Sequence, residues 1–324
     1  MVDGSASLSS FPPFPYFTTL TFPPMTSRMI VGIGEILWDI FPDRKALGGA
    51  PTNFAYHCQQ LGHEAYSVSA IGRDALGQEI EELLKTLPLN TLLQHNDYPT
   101  GTVSVTLNAK GSPSYKINEQ VAWDAIEFTP ELEALAKRTD AVCFGSLAQR
   151  SPISRRTIGL FLAAMPAGSV KVFDVNLRLD YYTREIIENS LEQATILKLN
   201  DEEIITVGEL LGVKGTMADI ARQLTSHYKL EALILTCGAK GCHVFRPGGS
   251  VFYPSAHIEI ADTVGAGDSF TAGFISALLA GKNTLESMAL ATRVAAHVCQ
   301  HHGAMPQHPQ HFKRYLEAEL GTPS

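Results

Sequence analysis

The sequence predicts an α/β fold of three layers: a mainly parallel central sheet, helices on both of its faces, and a small β-sheet flap. Three observations predict it. Short apolar runs alternate with stretches of helical apolar spacing through most of the 324 residues, the rhythm of a parallel sheet covered on both sides. That rhythm breaks once, at residues 101–118, where two strand-like segments flank a glycine-bearing turn. No internal repeat and no linker-like stretch divides the chain after residue 29, so one large unit over 29–318 is the economical reading, although length alone suggests about two domains.

Residues 1–28 stand apart. They hold five prolines, no cation before Arg28 and no uninterrupted apolar core, which argues against a secretory signal. They are expected to form a disordered extension, or to lie upstream of a true start at Met25 or Met29. Residues 29–36 (MIVGIGEI) read as a buried strand. A charged excursion over 37–47 follows, and then Gly48 and Gly49 open a helix over 51–61, with Phe54, Cys58 and Leu61 on one face and Gly62 at its end. A strand around Tyr66–Ile71 leads through the turn Gly72 to Gly77 into a helix around 77–86, which sets Ile80, Leu83 and Leu84 on one face. GTVSVTL (101–107) and SYKIN (114–118), joined by NAKGSP with Gly111 near the turn, predict a hairpin. With the earlier excursion it makes the flap, drawn from 37–47 and 99–121. Apolar strands at 141–144, 170–174, 195–199 and 232–236 then alternate with helices near 153–164, 184–193 and 217–227. A strand pair near 242–254 precedes two helices, from Asp268 to about Leu279 and from about Leu285 to Gln300.

Composition limits the function classes. Hydrophobic residues make up 45% and charged residues 18% of the chain, enough apolar surface for a sizeable core. Lys plus Arg number 25 against 33 Asp plus Glu, a net charge of -8, which has the wrong sign for electrostatic binding of nucleic acid or an anionic membrane. Small-molecule partners fit better. The five cysteines are scattered without a CxxC pair, so neither a disulfide framework nor a thiolate zinc site is indicated, and a reducing cytoplasm is the expected setting. No apolar run approaches the roughly 18 residues of a membrane span.

The sharpest chemical signal is DTVGAGDSF, Asp262 to Phe270, running directly into a helix. Gly265, Ala266 and Gly267 fall where unpaired backbone N–H donors meet the positive end of the helix dipole, a ready site for phosphate. A carboxylate beside such a cradle is electrostatically costly, which makes sense if Asp268 accepts a proton from an attacking hydroxyl. The other reading is that Asp268 simply caps the helix.

DTVGAGDSFTAGF resembles the C-terminal signature of the ribokinase or PfkB family of carbohydrate kinases. The N-terminal signature has its counterpart in Gly48-Gly49-Ala50-Pro51-Thr52-Asn53 and the downstream Gly72, Asp74 and Gly77 of G-x-D-x-x-G. The two signatures stand about 215 residues apart in the family's order, and the resemblance covers roughly 29–310. It implies a ribokinase-like fold and transfer of the γ-phosphoryl group of ATP, with Mg²⁺, to a sugar hydroxymethyl group.

By position, the resemblance makes Asp268 the catalytic base and Gly265, Ala266 and Gly267 the anion hole. It makes Asp39 a ligand of sugar hydroxyls and Gly48, Gly49 and Asn53 the sugar-contacting loop, which could also hinge the flap. Asn200 and Glu203 match the N-x-x-E element that orders Mg²⁺ through water; by themselves they read more readily as a helix-start Asn with acidic residues favourable to the dipole. Asp174-Val175-Asn176-Leu177-Arg178 resembles a D-x-N-x-R element, in which Arg178 could pair with a phosphate or a substrate oxygen. Thr236, Gly238 and Gly241 resemble the nucleotide loop, although alone they describe a turn. GEILWD, GGAPTNFA, the AWD at 122–124 and DVNLR favour fructose as acceptor. Ribose, 2-keto-3-deoxygluconate or a nucleoside within the same family, or a non-catalytic scaffold, are the alternatives. Many members dimerise through the flap and many respond to K⁺ near the loop corresponding to Asp262–Val264, which extends both expectations to this chain.

Other signals lead nowhere. Gly32-x-Gly34 has Leu37 where a dinucleotide fingerprint needs its third glycine, and no P-loop motif occurs. His297, His301, His302, His308 and His311 crowd Cys299 at irregular spacing, which suggests solvated side chains at a helix end rather than a metal site.

Overall fold

The computed structural model describes residues 27–107 and 113–308. The extension over 1–26, the turn containing Gly111, His311 and the stretch to residue 318 lie outside the described residues. Strands β1 (Met29–Ile33), β4 (Glu64–Gly72), β5 (Asn90–Asn96), β8 (Ala141–Phe144), β9 (Val170–Asp174), β10 (Ile196–Asn200), β11 (Ala232–Thr236), β12 (Cys242–Arg246) and β13 (Gly249–Tyr253) form one sheet in the order β13-β12-β11-β10-β9-β8-β1-β4-β5. All neighbours run parallel except β11 with β12 and β12 with β13. The smaller sheet has the order β3-β2-β6-β7, built from β2 (Leu37–Ile40), β3 (Lys45–Gly48), β6 (Thr102–Leu107) and β7 (Pro113–Ile117). The excursion and the hairpin thus pair, as expected, with β2 parallel to β6 and the other two pairings antiparallel.

Alternation along the strands feeds two cores. Ile30, Ala141, Cys143, Val172 and Ile196 face α1 (Ala50–Gln60), α8 (Ala266–Leu279) and α9 (Thr284–Cys299). Val31, Ile33, Val142, Phe144, Phe173 and Leu197 face the other layer, made of α3 (Pro130–Ala136), α4 (Pro152–Ala164), α5 (Arg184–Gln193), α6 (Glu203–Leu211) and α7 (Met217–His227). Both faces being covered explains why these strands read as continuous apolar runs. α2 (Ala75–Lys85) packs Ile80 and Leu84 with Ile36 and Trp38, tying the small sheet to the body. Among the described residues no helix is long and apolar enough to cross a membrane.

Several elements depart from the sequence expectation. The strand expected over 29–36 ends at Ile33, and Leu37 already belongs to the small sheet. Strand β5 is not predicted, because an edge strand with most residues partly exposed keeps a polar sequence. The seven-residue α3 is too short for a period, although Thr129 caps it by accepting from the Leu132 N–H. In α6 the β-branched Ile204, Ile205, Thr206 and Val207 obscure the helical spacing.

Candidate active site

In an open parallel sheet ligands lie beyond the carboxyl ends of the strands where the strand order reverses. Here the reversal falls between β1 and β8, whose neighbours lead away in opposite directions. The residues singled out from the sequence gather at those ends.

The sugar-loop candidates lie where β3 runs into α1. Gly48 is required by closeness: a Cβ there would sit 2.6 Å from Asp39 Oδ2. Asp39 is half-buried, burial raises its carboxyl above the ordinary value, and the Arg178 guanidinium pulls it back. Gly49 caps α1 without a side chain, and its backbone leans on Glu35, whose carbonyl oxygen would be 2.4 Å from an added Cβ. Gly32 has the same purpose one layer below, since a Cβ there would lie 1.9 Å from the Pro51 carbonyl oxygen. One turn into α1, buried Asn53 donates from Nδ2 to Asp268 Oδ2 at 2.8 Å, while its Oδ1 is buried with no partner. The two signature segments, 215 residues apart in sequence, therefore meet in one hydrogen bond.

Asp268 is not the cap of α8. Gly265 occupies that position in the left-handed region at φ 76°, and a Cβ there would clash with Ala304 at 2.7 Å. Asp268 lies three residues into the helix, among the N–H groups that lack an intrahelical carbonyl. Protein atoms enclose its carboxyl on most sides, yet the residue stays partly open to solvent. Burial raises its pKa to about 6, helped by the Asp174 charge and opposed by the Asn53 hydrogen bond, Lys198 and Arg178. A carboxyl so poised takes up a proton more readily than a free aspartate while remaining ionised near neutrality.

Beside it, β9 and β10 end in a polar network. Asn200 Oδ1 accepts from the Glu202 and Glu203 N–H groups at 2.9 and 2.8 Å, which starts α6. Buried Glu203 accepts from the Leu177 and Asn200 N–H groups at 3.0 and 2.8 Å, and so fixes the loop carrying Arg178. Burial raises its carboxyl, and Lys198 opposes the rise. Arg178 is exposed, but its charge reaches Glu35, Asp39 and Asp268. Thr236 pairs in register with Asn200 at the next strand end, and Gly238 follows with open space where a side chain would stand. Gly241 is close-packed instead, with the Tyr253 carbonyl oxygen 2.2 Å from a Cβ position.

The residue reading missed Glu35, Asp174 and Lys198 as candidates. Each is a charged side chain in or next to an apolar strand and each is buried. That contrast was the available signal. Glu35 carries a pKa raised to about 7, chiefly by burial and by Asp268, against its own N–H, Arg178 and the Ala50 N–H. The C-terminal histidines also need correction. His297 and His308 are buried rather than solvated: their rings meet edge to face at 5.2 Å, and His308 stacks on His57 at 5.6 Å, because this segment packs against α1. His57 Nε2 lies 2.9 Å from the Ala304 carbonyl oxygen, which braces the segment lying against Gly265.

Comparisons with known proteins agree with this geometry. The family described as pfkB family carbohydrate kinase matches residues 42–311. The sugar kinase PH1459 of Pyrococcus horikoshii is 30% identical over 298 residues, spanning 85% of this chain and 91% of its own. Its crystal structure, titled as an uncharacterized sugar kinase, superposes with a TM-score of 0.77 at 27% identity over 91% of this chain and all of that one; it has also been solved with ATP. Fructokinase-2 of Solanum lycopersicum is 26% identical over 295 residues, covering 85% of this chain and 89% of its own. The fructokinase of Xylella fastidiosa with bound ATP shares the fold, with a TM-score of 0.80 at 18% identity over 91% and 99% of the two chains.

Proposed function

We propose, for a chain that belongs to the pfkB family of carbohydrate kinases, that Asp268 is the general base in transfer of the ATP γ-phosphoryl group to the hydroxymethyl group of fructose. The observation that carries this reading is the Asn53–Asp268 hydrogen bond, which places the sugar-loop candidate on the base. A hydroxyl held by Asp39, the Gly48–Gly49 backbone and Asn53 would have Asp268 as the nearest acceptor for its proton. The N–H groups of Gly265, Ala266 and Gly267 would receive the charge that develops on the transferred phosphoryl. Fructose is favoured because the tomato relative is a fructokinase and because GEILWD and GGAPTNFA resemble that branch.

ATP fits the remaining strand ends. Thr236 and Gly238 offer a backbone that a nucleotide can approach closely, and the relative PH1459 has been solved with ATP. Mg²⁺ would be held through water by Glu203, each of whose oxygens accepts one backbone N–H and keeps a free lone pair, and by Asn200, whose Oδ1 accepts two N–H groups and would exchange one of them for a water. It would neutralise charge on the β- and γ-phosphates. The small sheet would act as a lid whose strand β2 brings Asp39 over the sugar and keeps water from the phosphoryl group.

The test is ATP consumption with Mg²⁺ across fructose, ribose, 2-keto-3-deoxygluconate and adenosine, with wild type beside Asp268→Asn. Fructose-dependent turnover that falls about a thousandfold in the variant is the expected result. Turnover with another panel member would move the acceptor within the family. Turnover surviving intact in Asp268→Asn would remove the base.

A further inference from the structure

Three carboxylates, Asp174, Glu203 and Asp268, act together near the start of α8, where the triphosphate of the kinase reading would arrive. All three act on Lys198, and Asp174 acts on Asp268. Lys198 is 6% exposed, in a strand whose neighbours on either side are apolar. Its Nζ donates to Asp174 Oδ1 at 3.0 Å. Thr271 Oγ1, one turn into α8, lies 3.2 Å from Asp174 Oδ2 and 2.9 Å from the Gly267 carbonyl oxygen. The ammonium sits directly against the anion-hole segment: a Cβ on Gly267 would be 3.0 Å from Lys198 Nζ.

A buried ion pair is a poor source of stability, because apolar residues of similar size often do as well or better. Its placement here, under the one helix start where two signature segments meet, suggests a different purpose. We infer that Lys198 is a positioning residue for phosphoryl transfer: a fixed cation beneath Gly267 that offsets the negative charge at the first turn of α8 and is held in place by Asp174 and Thr271. The inference rests on the kinase reading above. A side chain at 267 would crowd the ammonium and push it by a few tenths of an ångström.

Removing Lys198 alone would leave Asp174 buried and unpaired, so the informative variant is Lys198→Met with Asp174→Asn, which removes both charges. Its thermal midpoint is expected within a few degrees of wild type, with kcat for the accepted sugar down about a hundredfold and KM for that sugar within about threefold. Asp174→Asn alone, which keeps the cation but loosens it, is expected to lose about tenfold and to move the acidic limb of the rate profile to lower pH, because Asp174 raises Asp268. A double variant as fast as wild type, or no slower than Asp174→Asn, would overturn the inference and leave Lys198 as the structural partner of Asp174. Wild type inactive on the whole sugar panel would overturn the kinase reading itself, and the inference with it.

Discussion

Asp74 and Asp268 both follow a glycine-marked turn and both stand at the start of a helix, yet the structure gives them opposite chemistry. Asp74 is the cap of α2. Its Oδ1 accepts from the Gly77 N–H at 2.8 Å and from Thr100 Oγ1 at 2.6 Å, and its Oδ2 accepts from the Thr100 N–H at 2.8 Å. Burial acts to raise its pKa, but the Thr100 and Gly77 bonds outweigh it and hold the carboxyl below its ordinary value. Asp268 stands three residues deeper in its helix, receives one side-chain bond from Asn53, and is pushed up to about 6. A carboxylate saturated by backbone donors is committed to holding structure. One left undersupplied and partly open to solvent is available for a proton. Asp74 pins the chain where it enters β6 of the small sheet, whereas Asp268 meets Asn53 of α1.

Substituting the two residues one at a time should separate these duties, and this is the largest effect expected. Asp74→Ala removes three hydrogen bonds and a cap, and should lower unfolding free energy by about 1–3 kcal/mol in urea titration while leaving kcat within about tenfold. Asp268→Asn should do the reverse, abolishing turnover while leaving stability unchanged or raised by up to about 2 kcal/mol at pH 8, since an ionised carboxylate in a costly position has been neutralised. If Asp268→Asn unfolds the protein and Asp74→Ala stops catalysis, the contrast is wrong.

The pH profile of kcat/KM sharpens the same point. As the proposed base, Asp268 must be ionised to accept a proton, so activity should fall as pH drops through about 6. An aspartate with the low pKa of a cap would hold full activity well below that. Asn53→Ala, which removes the hydrogen bond favouring the ionised form, should carry the limb upward, measured against wild type in the same buffers. A limb that stays in place would mean that Asn53 serves the sugar alone.

Much of this was readable in the sequence where a local rule agreed with the fold. Buried strands such as β8 and β11 are short apolar runs, and the glycines at 48, 49 and 265 are needed for close approach or a left-handed turn that few other residues tolerate. What escaped notice depends on who the neighbour is. Strand β5 is an edge, so its polar sequence hides it. Lys198 in the run ILKLN and Glu35 at the end of β1 look like breaks in an apolar pattern until the strands beside them supply Asp174 and the α1 start. The histidines near the C-terminus look solvated until His57 arrives from α1. A sequence displays residue type and spacing, but the charge of a buried group is set by partners from other elements.

Glu35 limits the rule drawn from the two aspartates, and it sets the smallest of the expected effects. Glu35, between β1 and β2, packs beside the start of α1 and, like Asp74, feels backbone N–H groups, its own and that of Ala50. Like Asp268 it is raised, to about 7, because burial exceeds what those donors return and Oε2 has no partner. Its ordinary value is 4.5, so between about pH 4.5 and 7 the folded protein holds a proton that the unfolded chain has released. The stability this contributes is full below pH 4.5 and is lost as pH rises through 7, about 3 kcal/mol in all. Glu35→Gln, which is uncharged at every pH, should abolish that part of the slope, and unfolding titrations of both proteins at pH 5 and pH 8 would measure it. Parallel slopes in the two proteins would mean that Glu35 is ionised in the fold at neutral pH, and then donor supply alone, without burial, would decide which carboxylates here hold structure and which accept protons.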